Sequence, residues 1–383
     1  MKILELTFEE PSDYSGGGIG VKQSIESLMK LGRVDYLGPV LKKDLFESSD
    51  NINILFQLEY DNNILKRILN MFHGVLNGYY SSWKNICKSI KWNEYDLVHI
   101  EFTKHPFLVK QGKDNNIPVF TRMHNVERDY YLNLFRMKKS LPNLLMYLCY
   151  ARAEKKCVSL SDRIITLTNE DKERTIELYK CNNKRLSINP VCIDDKFFEK
   201  RKNTRTLLMT GSLWYGPNCD GILWFLENIW PNIKQRNKDA KVIVAGGNPQ
   251  DKLKKICQQD GVELYENPEE IDPFFERASI YLAPIFSGAG MKVKIAEALM
   301  HGMPIVATNH ALLGYDYRDV ESIKECNDSQ EFEKQLDIIL NMNDSDYLNK
   351  CKESRRLFEE KYSIESSSKF YKELYDKYIG NEE

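Results

Sequence analysis

The sequence predicts an α/β chain of two domains, each with a parallel sheet. Three observations carry that prediction. Short apolar runs alternate with amphipathic helical stretches through the first half of the chain. The alternation restarts at Arg205, after a segment from Pro190 to Thr204 that holds Pro, Asp-Asp and a Lys/Arg/Asn cluster without apolar periodicity. Finally, 383 residues exceed one ordinary core, and two domains of about 150–200 residues are the natural division.

Lys2 to Phe8 is the first strand; Gly16-Gly17-Gly18 reads as a loop before a helix from about Ile19 to Leu31. This glycine run is a weak dinucleotide fingerprint: a third glycine in phase is missing, and no acidic residue closes the next strand, Val34 to Val40. A glycine loop against some other bound group stays open. Ile52 to Leu58 is a strand, followed by a long helical region from Asn62 to Trp92 that carries Lys66, Arg67, Lys84, Lys88 and Lys91 among Ile68, Leu69, Phe72, Tyr79, Tyr80 and Trp83. Tyr95–Glu101 and Ile117–Thr121 are strands, the second running into Arg122-Met-His-Asn-Val-Glu127. A second helical region, Tyr130 to Leu160, breaks near Pro142 and carries Arg136, Lys138, Lys139, Arg152, Lys155 and Lys156. Asp162–Leu167 is a strand, and Thr168-Asn-Glu-Asp opens a helix with capping residues. A short strand near Leu186–Asn189 closes this half.

In the second half, Arg205–Thr210 is a strand, Pro217 to about Ile233 a helix, and Lys241–Ala245 a strand ending in Gly246-Gly247. A helix near Leu253 and a strand Val262–Tyr265 follow, then a helix beginning at Asn267. Ser279–Leu282 is an apolar run ended by Pro284; Gly288 and Gly290 let the backbone turn, and a helix runs to about His301, stopped by Gly302 and Pro304. On that helix Gly290, Lys294, Glu297 and His301 fall within a stripe of roughly 60°. Free amides at the helix start suit a phosphate, Lys294 adds charge, and Glu297 accepts hydrogen bonds from sugar hydroxyls. The competing reading is an internal Lys294–Glu297 salt bridge on a solvated face. After Thr308 come a loop and helices near Glu331–Asn341, Asp346–Lys361 and Ile364–Tyr378.

Composition narrows the classes. Hydrophobic content of 42% with 29% charged residues is globular. A net charge of −2 gives no general drive toward nucleic acid. Nine cysteines, odd in number and never spaced Cys-x-x-Cys, argue for free thiols in a reducing compartment, against a disulfide framework and against zinc. The start Met1-Lys-Ile-Leu-Glu-Leu is read as a strand and not a signal peptide. No run approaches the roughly 18 apolar residues of a membrane span. The expectation is a cytoplasmic protein, at most bound at the inner face of the plasma membrane.

Met209-Thr-Gly-Ser-Leu-Trp-Tyr-Gly-Pro-Asn-Cys-Asp-Gly-Ile-Leu-Trp-Phe225, then Ile229-Trp-Pro-Asn-Ile and Val242-Ile-Val-Ala-Gly-Gly, resemble the nucleotide-binding domain of bacterial family 4 (group 1) retaining glycosyltransferases. The stretch from Gly290 to Val306 is similar to that family's donor-binding loop and helix. Arg122-Met-His-Asn-Val-Glu, Arg152-Ala-Glu-Lys-Lys and Asp162-Arg-Ile-Ile-Thr-Leu-Thr resemble its acceptor domain. The resemblance spans nearly the whole chain. It implies the GT-B architecture, two Rossmann-like domains with parallel sheets facing a central cleft. An acceptor domain would occupy 1–195, a donor domain 205–362, and a helix in 363–383 would return to the first domain.

The resemblance also implies roles. Glu297 matches the second glutamate of the paired-glutamate motif, on the donor ribose. Gly290, Met291 and Lys292 lie where amides meet the diphosphate or sugar, and Gly17 and Gly18 where a glycine loop approaches the diphosphate. Gly211 and Ser212 follow the first strand of the donor domain, and Tyr265, with Glu266, lies in the region that contacts the base. His124 matches a histidine beside the reacting sugar. The chain departs from the pattern: the first glutamate is replaced by Ala289, the arginine and lysine that hold the diphosphate appear as Ser212 and Asn218, and the segment after the last strand reads Leu313-Gly-Tyr-Asp316. Lys294, with Lys292, is then the available counter-charge.

Sugar transfer passes through an oxocarbenium-like state while charge grows on the leaving phosphate, so fixed cations and amide donors are what the site needs. No cofactor and no metal is expected; the Asp344-Ser-Asp346 pair is read as a helix cap. The expected partners are a nucleotide-sugar donor, UDP-linked in preference to GDP-linked, and a glycan or polyprenyl-linked acceptor in surface polysaccharide or glycoconjugate synthesis. Peripheral contact with an anionic membrane through the basic, aromatic-rich helices is expected against the plainer reading of solvated helix faces. A GT-B nucleotide-sugar epimerase and a non-catalytic GT-B scaffold are the alternatives, the latter motivated by Ala289 and Ser212.

Overall fold

In the computed structural model the chain divides into two compact units, residues 1–192 with 364–383, and residues 193–363. The structure describes residues 1–12, 16–41, 45–46, 50–63, 65–66, 70, 78–197, 199, 202–288 and 290–380. Arg67, Ile68, Leu69 and Phe72 of the first basic stretch, and Ala289, lie outside the described residues.

The first unit runs β1 (Lys2–Leu6), α1 (Gly16–Met29), β2 (Arg33–Pro39), β3 (Ile52–Leu58), α2 (Tyr80–Ile86), β4 (Leu97–Glu101), α3 (Pro106–Asp114), β5 (Val119–Met123), α4 (Glu127–Met137), α5 (Leu141–Leu160), β6 (Arg163–Thr166), α6 (Asn169–Tyr179) and β7 (Leu186–Ile188). The strands form one sheet in the order β3-β2-β1-β4-β5-β6-β7, and every pair is parallel. The central strands are buried on both faces: Leu4, Leu6, Val98, Ile100 and Val119 share one apolar cluster, while Glu5, His99, Glu101 and Arg122 are buried on the other face. Each fully buried Leu, Ile or Val there contributes about 1.5–3 kcal/mol relative to exposure.

Local chemistry sets the helix ends. Ser140 accepts from the Asn143 amide to start α5, and Pro142 sits in its first turn, where a missing N–H is harmless. Thr168 caps α6 through the Asp171 amide. The C-terminal helix, Ile364–Ile379, packs against α1, with Tyr371 and Leu374 joining Ile3, Val21, Ile25 and Phe120 in one apolar cluster. Gly17 and Gly18 belong to the first turn of α1, not to a loop before it. Within the helical stretch expected over 62–92, the longest described helix is α2; short 3-10 turns follow at Cys87–Ser89 and Trp92–Glu94.

The second unit runs β8 (Thr206–Ser212), α7 (Gly216–Asn228), α8 (Trp230–Arg236), β9 (Lys241–Gly247), α9 (Asp251–Ile256), β10 (Val262–Glu266), α10 (Asp272–Arg277), β11 (Ile280–Ala283), α11 (Val293–Met300), β12 (Ile305–Ala307), β13 (Ile323–Glu325), α12 (Ser329–Leu340) and α13 (Asp344–Lys361). Its sheet is also parallel, in the order β10-β9-β8-β11-β12-β13. Trp230, Phe225, Phe332 and the inward residues of β8, β9 and β11 fill one core face.

Several boundaries differ from expectation for identifiable reasons. The single helix expected over 217–233 breaks at Ile229, because Pro231 opens a new first turn. The helix expected from Asn267 begins at Asp272, since Asn267 takes a left-handed backbone (φ 50°) and its side chain accepts from the Asn248 amide at 2.8 Å. The cap before α13 is Asn343, whose Oδ1 accepts from the Asp346 amide at 3.0 Å; Asp344 and Asp346 sit in the first turn beyond it. No helix among the described residues is long and apolar enough to cross a membrane.

Candidate functional site

In the second unit, β8 and β11 are neighbours at the centre of the sheet, and the loops leaving their carboxyl ends meet around Lys294. This is where a parallel sheet places its ligands. The chain leaves β11 through Pro284, passes Gly288 and Gly290 in left-handed conformations (φ 101° and 71°) and enters α11 at Val293. The helix thus starts three residues later than the sequence predicts, so Gly290, Met291 and Lys292 form the approach to it. His310 Nε2 donates to the Gly288 carbonyl at 2.7 Å, and the Tyr315 hydroxyl donates to the Lys292 carbonyl at 2.9 Å. Both tie the loop to the segment after β12.

Lys294 Nζ donates to the Thr210 carbonyl at 2.7 Å and to Asn218 Oδ1 at 2.9 Å. It forms no ion pair with Glu297, so the internal salt-bridge reading is overturned: the lysine reaches the end of β8 and the first turn of α7 instead of its neighbour one turn on. Gly211, with φ 132°, makes room for it; a Cβ there would lie 2.5 Å from Lys294 Nζ. Ser212 is exposed and its carbonyl accepts from Asn218 Nδ2 at 3.0 Å. Burial lowers both Lys292 and Lys294 to about 8, the latter held up in part by Glu297. Lys292 Nζ donates to the Gly290 carbonyl at 2.7 Å. Burial raises the Glu297 carboxyl above its usual range against the pull of Lys294. Its side chain makes no hydrogen bond or ion pair among the described residues. The site is thus a pair of partly desolvated ammonium groups, a half-buried carboxylate and a turn of two left-handed glycines.

Tyr265 lies on the edge strand β10. Its hydroxyl donates to Glu263 Oε2 at 2.8 Å and accepts from Arg277 at 2.8 Å, and its ring leans on Phe274. The Tyr265 hydroxyl is therefore engaged within the protein, and Arg277 lies 5.2 Å from its ring centre.

In the first unit, His124 lies two residues past Arg122 at the end of β5 and is 6% exposed. Its Nε2 is hydrogen-bonded to Glu101 Oε2 at the end of β4, and its ring stacks on Phe102 at 4.0 Å and 15°. Gly20 of α1 faces it so closely that a Cβ there would lie 2.7 Å from His124 Cε1. Gly18 is buried; at Gly17 a Cβ would touch Phe102 at 3.4 Å. The start of α1, Phe102 and His124 therefore form one group. Behind it, His99 Nδ1 meets Glu5 Oε2 at 2.7 Å, and Arg122 donates to the Gly20 carbonyl at 2.8 Å.

Among the described residues one cluster, Glu5, His99 and Glu101, has the spacing of a metal site. Arg122 already stands 4.0 Å from Glu101 there, and the Tyr371 hydroxyl meets His99 Nε2 at 3.2 Å. That cluster thus carries its own counter-charge. Sequence reasoning passed over Glu101, Gly20, His310 and Tyr315 as site residues. The available signal was period two: His99-x-Glu101 and Arg122-x-His124 put four polar side chains on one face of strands that are otherwise apolar.

Comparison with known proteins bears on the family and the fold. The family model of group 1 glycosyl transferases matches residues 204–341. An uncharacterized 44.6 kDa protein in the cps region of Klebsiella pneumoniae is 25% identical over 267 residues, 65% of this chain and 66% of that protein. An uncharacterized glycosyltransferase of Haemophilus influenzae is 28% identical over 216 residues, 54% of this chain and 59% of that one. The chain thus spans 66% and 59% of the length of these curated relatives. Among solved structures, Anabaena HepE in complex with UDP aligns with a TM-score of 0.66 at 12% identity, covering 98% of this chain and 100% of that one. A glycosyltransferase from Rickettsia africae aligns with a TM-score of 0.67 at 14% identity, covering 99% of each. At such identities these structures speak to the fold alone. The second unit thus matches the group 1 glycosyl transferase family model over residues 204–341, and the chain has the GT-B fold of two Rossmann-like domains.

Proposed function

We propose that the protein is a retaining glycosyltransferase that moves a sugar from a nucleoside-diphosphate donor to a glycan or lipid-linked acceptor. The observation that carries this is the Lys294 ammonium, buried beside Gly211 and Asn218 where the family's diphosphate-holding cations are replaced by Ser212 and Asn218. A dianionic leaving group needs fixed positive charge, and a desolvated lysine supplies it without reorganisation. Lys292 and the amides from Gly290 onward add to it, and Glu297 is left to accept from ribose hydroxyls. The two lysines fill the charge role that a metal fills elsewhere, and no residue here need act as a metal ligand for the reaction.

UDP-sugars are the first donors to test, because HepE has been solved with UDP and with UDP-glucose. The Klebsiella relative in a cps region favours surface polysaccharide as the product. The proposed membrane contact has a structural candidate in α5. Leu141, Leu145, Leu148, Arg152 and Lys155 follow one another at spacings of four and three and so share a face. The three leucines are 69%, 42% and 47% exposed. Arg128, Arg152 and Lys155 line a cavity of about 400 Å³ with Tyr147, Leu148 and Tyr179. These three cations make no hydrogen bond or ion pair among the described residues. Apolar residues beside unpaired cations fit an anionic lipid surface.

A thermal-shift screen over UDP, GDP, ADP and TDP tests the donor half of the reading. UDP is expected to raise the Tm most, and Lys294→Ala to abolish the shift. A protein that responds to none of the four has no donor site of this kind.

A further inference from the structure

His124 ends a row of buried charged groups. β1, β4 and β5 are neighbours, and their register sets Glu5 opposite His99 and Glu101 opposite Arg122. Because a strand repeats every two residues, Glu5, His99, Glu101, Arg122 and His124 share one face of the sheet. Arg122 is tied to α1 through Gly20, and His99 to the C-terminal helix through Tyr371, which in turn meets Ser24 of α1 at 3.2 Å. Glu5, His99 and Glu101 are fully buried, and Arg122 is 1% exposed. Burying five ionisable groups is costly, and apolar residues of similar volume usually serve a core as well or better. The row is therefore hard to explain by stability.

We propose that Glu101 is the positioning residue of His124, its carboxylate accepting from Nε2–H and leaving Nδ1 as the ring nitrogen available to substrate. An ionised carboxylate only accepts, so the pairing fixes the tautomer. Burial pushes the Glu101 carboxyl up, but His124, Arg122 and His99 outweigh it and hold the group ionised. Burial likewise pushes His124 down and Glu101 opposes that, so the ring stays neutral more readily than it would in water. The charged or titratable groups around the pair are Glu5 on β1, His99 on β4, Lys104 after it, Arg122 on β5 and Tyr371 on the C-terminal helix. Phe102, stacked on the ring and itself 4.4 Å from the Lys104 ammonium, fixes the imidazole plane. Gly20, which has no side chain, faces the Cε1–Nδ1 edge, where a Cβ would lie 2.7 and 3.0 Å from those atoms. Nδ1 makes no hydrogen bond among the described residues.

The role in turnover rests on the transferase reading; the pairing itself does not, so the test has two arms. In the first, the full chain is labelled with ¹⁵N-histidine and His124 is assigned with His124→Gln. Wild type is expected to hold the Nε2–H tautomer, and Glu101→Gln to give mixed tautomers and a lower titration midpoint. Unchanged shifts and midpoint in E101Q would overturn the inference. In the second arm, UDP release from UDP-glucose is followed. E101Q is expected to lower kcat by about 10- to 100-fold with KM changed less than about threefold. In a His124→Ala background it should cost nothing further, because Glu101 acts through the ring. Full additivity there overturns the positioning role. Should E101Q unfold, Glu101→Asp keeps the charge beside Arg122 while withdrawing the oxygen from His124, and the same two outcomes are read. A wild type that shows the pairing but turns over no nucleotide sugar sinks the transferase reading and the positioning role with it, and leaves a structural pair.

Discussion

Lys294 Nζ lies 2.9 Å from Asn218 Oδ1, joining the first turn of the helix after the glycine loop to the first turn of α7. The resemblance aligns Asn218 with a diphosphate-binding cation, which makes Lys294 the charge expected to meet the donor in its place. Lys294→Ala is expected to weaken UDP binding by about 10- to 100-fold, the range of one or two charge-assisted hydrogen bonds. Asn218→Ala frees the ammonium and is expected to cost less, about threefold. Calorimetric titration with UDP checks both; equal losses would show that Asn218 itself contacts the ligand.

The two lysines, lowered by burial to about 8, give donor affinity and stability opposite pH dependences. Bound diphosphate favours the ammonium form, so UDP affinity is expected to fall above pH 8, by roughly tenfold per pH unit for each lysine that must be protonated. The sign for the unliganded protein is the reverse. Unfolded lysines near 10.5 still hold protons between pH 8 and 10.5 that the folded ones have lost. The unfolded state binds more protons in that window, so these groups make stability rise with pH across it. Tm and UDP affinity measured on the same samples from pH 7 to 10 separate the trends, and parallel curves would refute the assignment.

Much of this architecture is readable because parallel strands buried on both faces appear as continuous apolar runs, and Pro, Gly and Thr mark their ends. β13, three residues at the edge of its sheet, is too short to give a period. The longer reach of β5 to Met123 was hidden because Arg122 looks like a loop residue until its buried partners are known. The site was harder. Spacing pairs Lys294 with Glu297 one turn away, whereas the lysine bonds Thr210 across 84 residues of sequence. Long-range partners of this kind depend on sheet order, which local pattern does not contain.

Two glycines separate the two halves of the machinery experimentally. Gly211→Ala adds a Cβ 2.5 Å from Lys294 Nζ at φ 132°, so it is strained and displaces the lysine. A destabilisation of about 1–3 kcal/mol and loss of UDP binding are expected. Gly20→Ala instead drives a methyl to within 2.7 Å of His124 Cε1. It lies in a helix with ordinary dihedrals, so alanine suits the backbone and the damage falls on the ring. UDP affinity should stay near wild type while turnover falls by at least about tenfold. If Gly20→Ala lowers UDP affinity instead, the division of roles between the two groups is wrong.

The α5 stripe makes the membrane proposal testable by chemistry. Three exposed leucines bury about 1.5–3 kcal/mol each at most when taken out of water, and each cation near an anionic leaflet adds about 1 kcal/mol. Together these suffice for reversible attachment but not for insertion. Co-sedimentation with vesicles containing phosphatidylglycerol should therefore be strong at low salt and weaken as salt screens the cations. Arg152→Glu with Lys155→Glu should abolish pelleting at all salt concentrations, and Leu145→Ser with Leu148→Ser should weaken it while keeping its salt dependence. Loss with the charge variant alone would identify an electrostatic surface without apolar seating. A protein that never pellets but dimerises through its leucines, with Leu145→Ser and Leu148→Ser restoring the monomer, would reassign the stripe to a second copy of the chain.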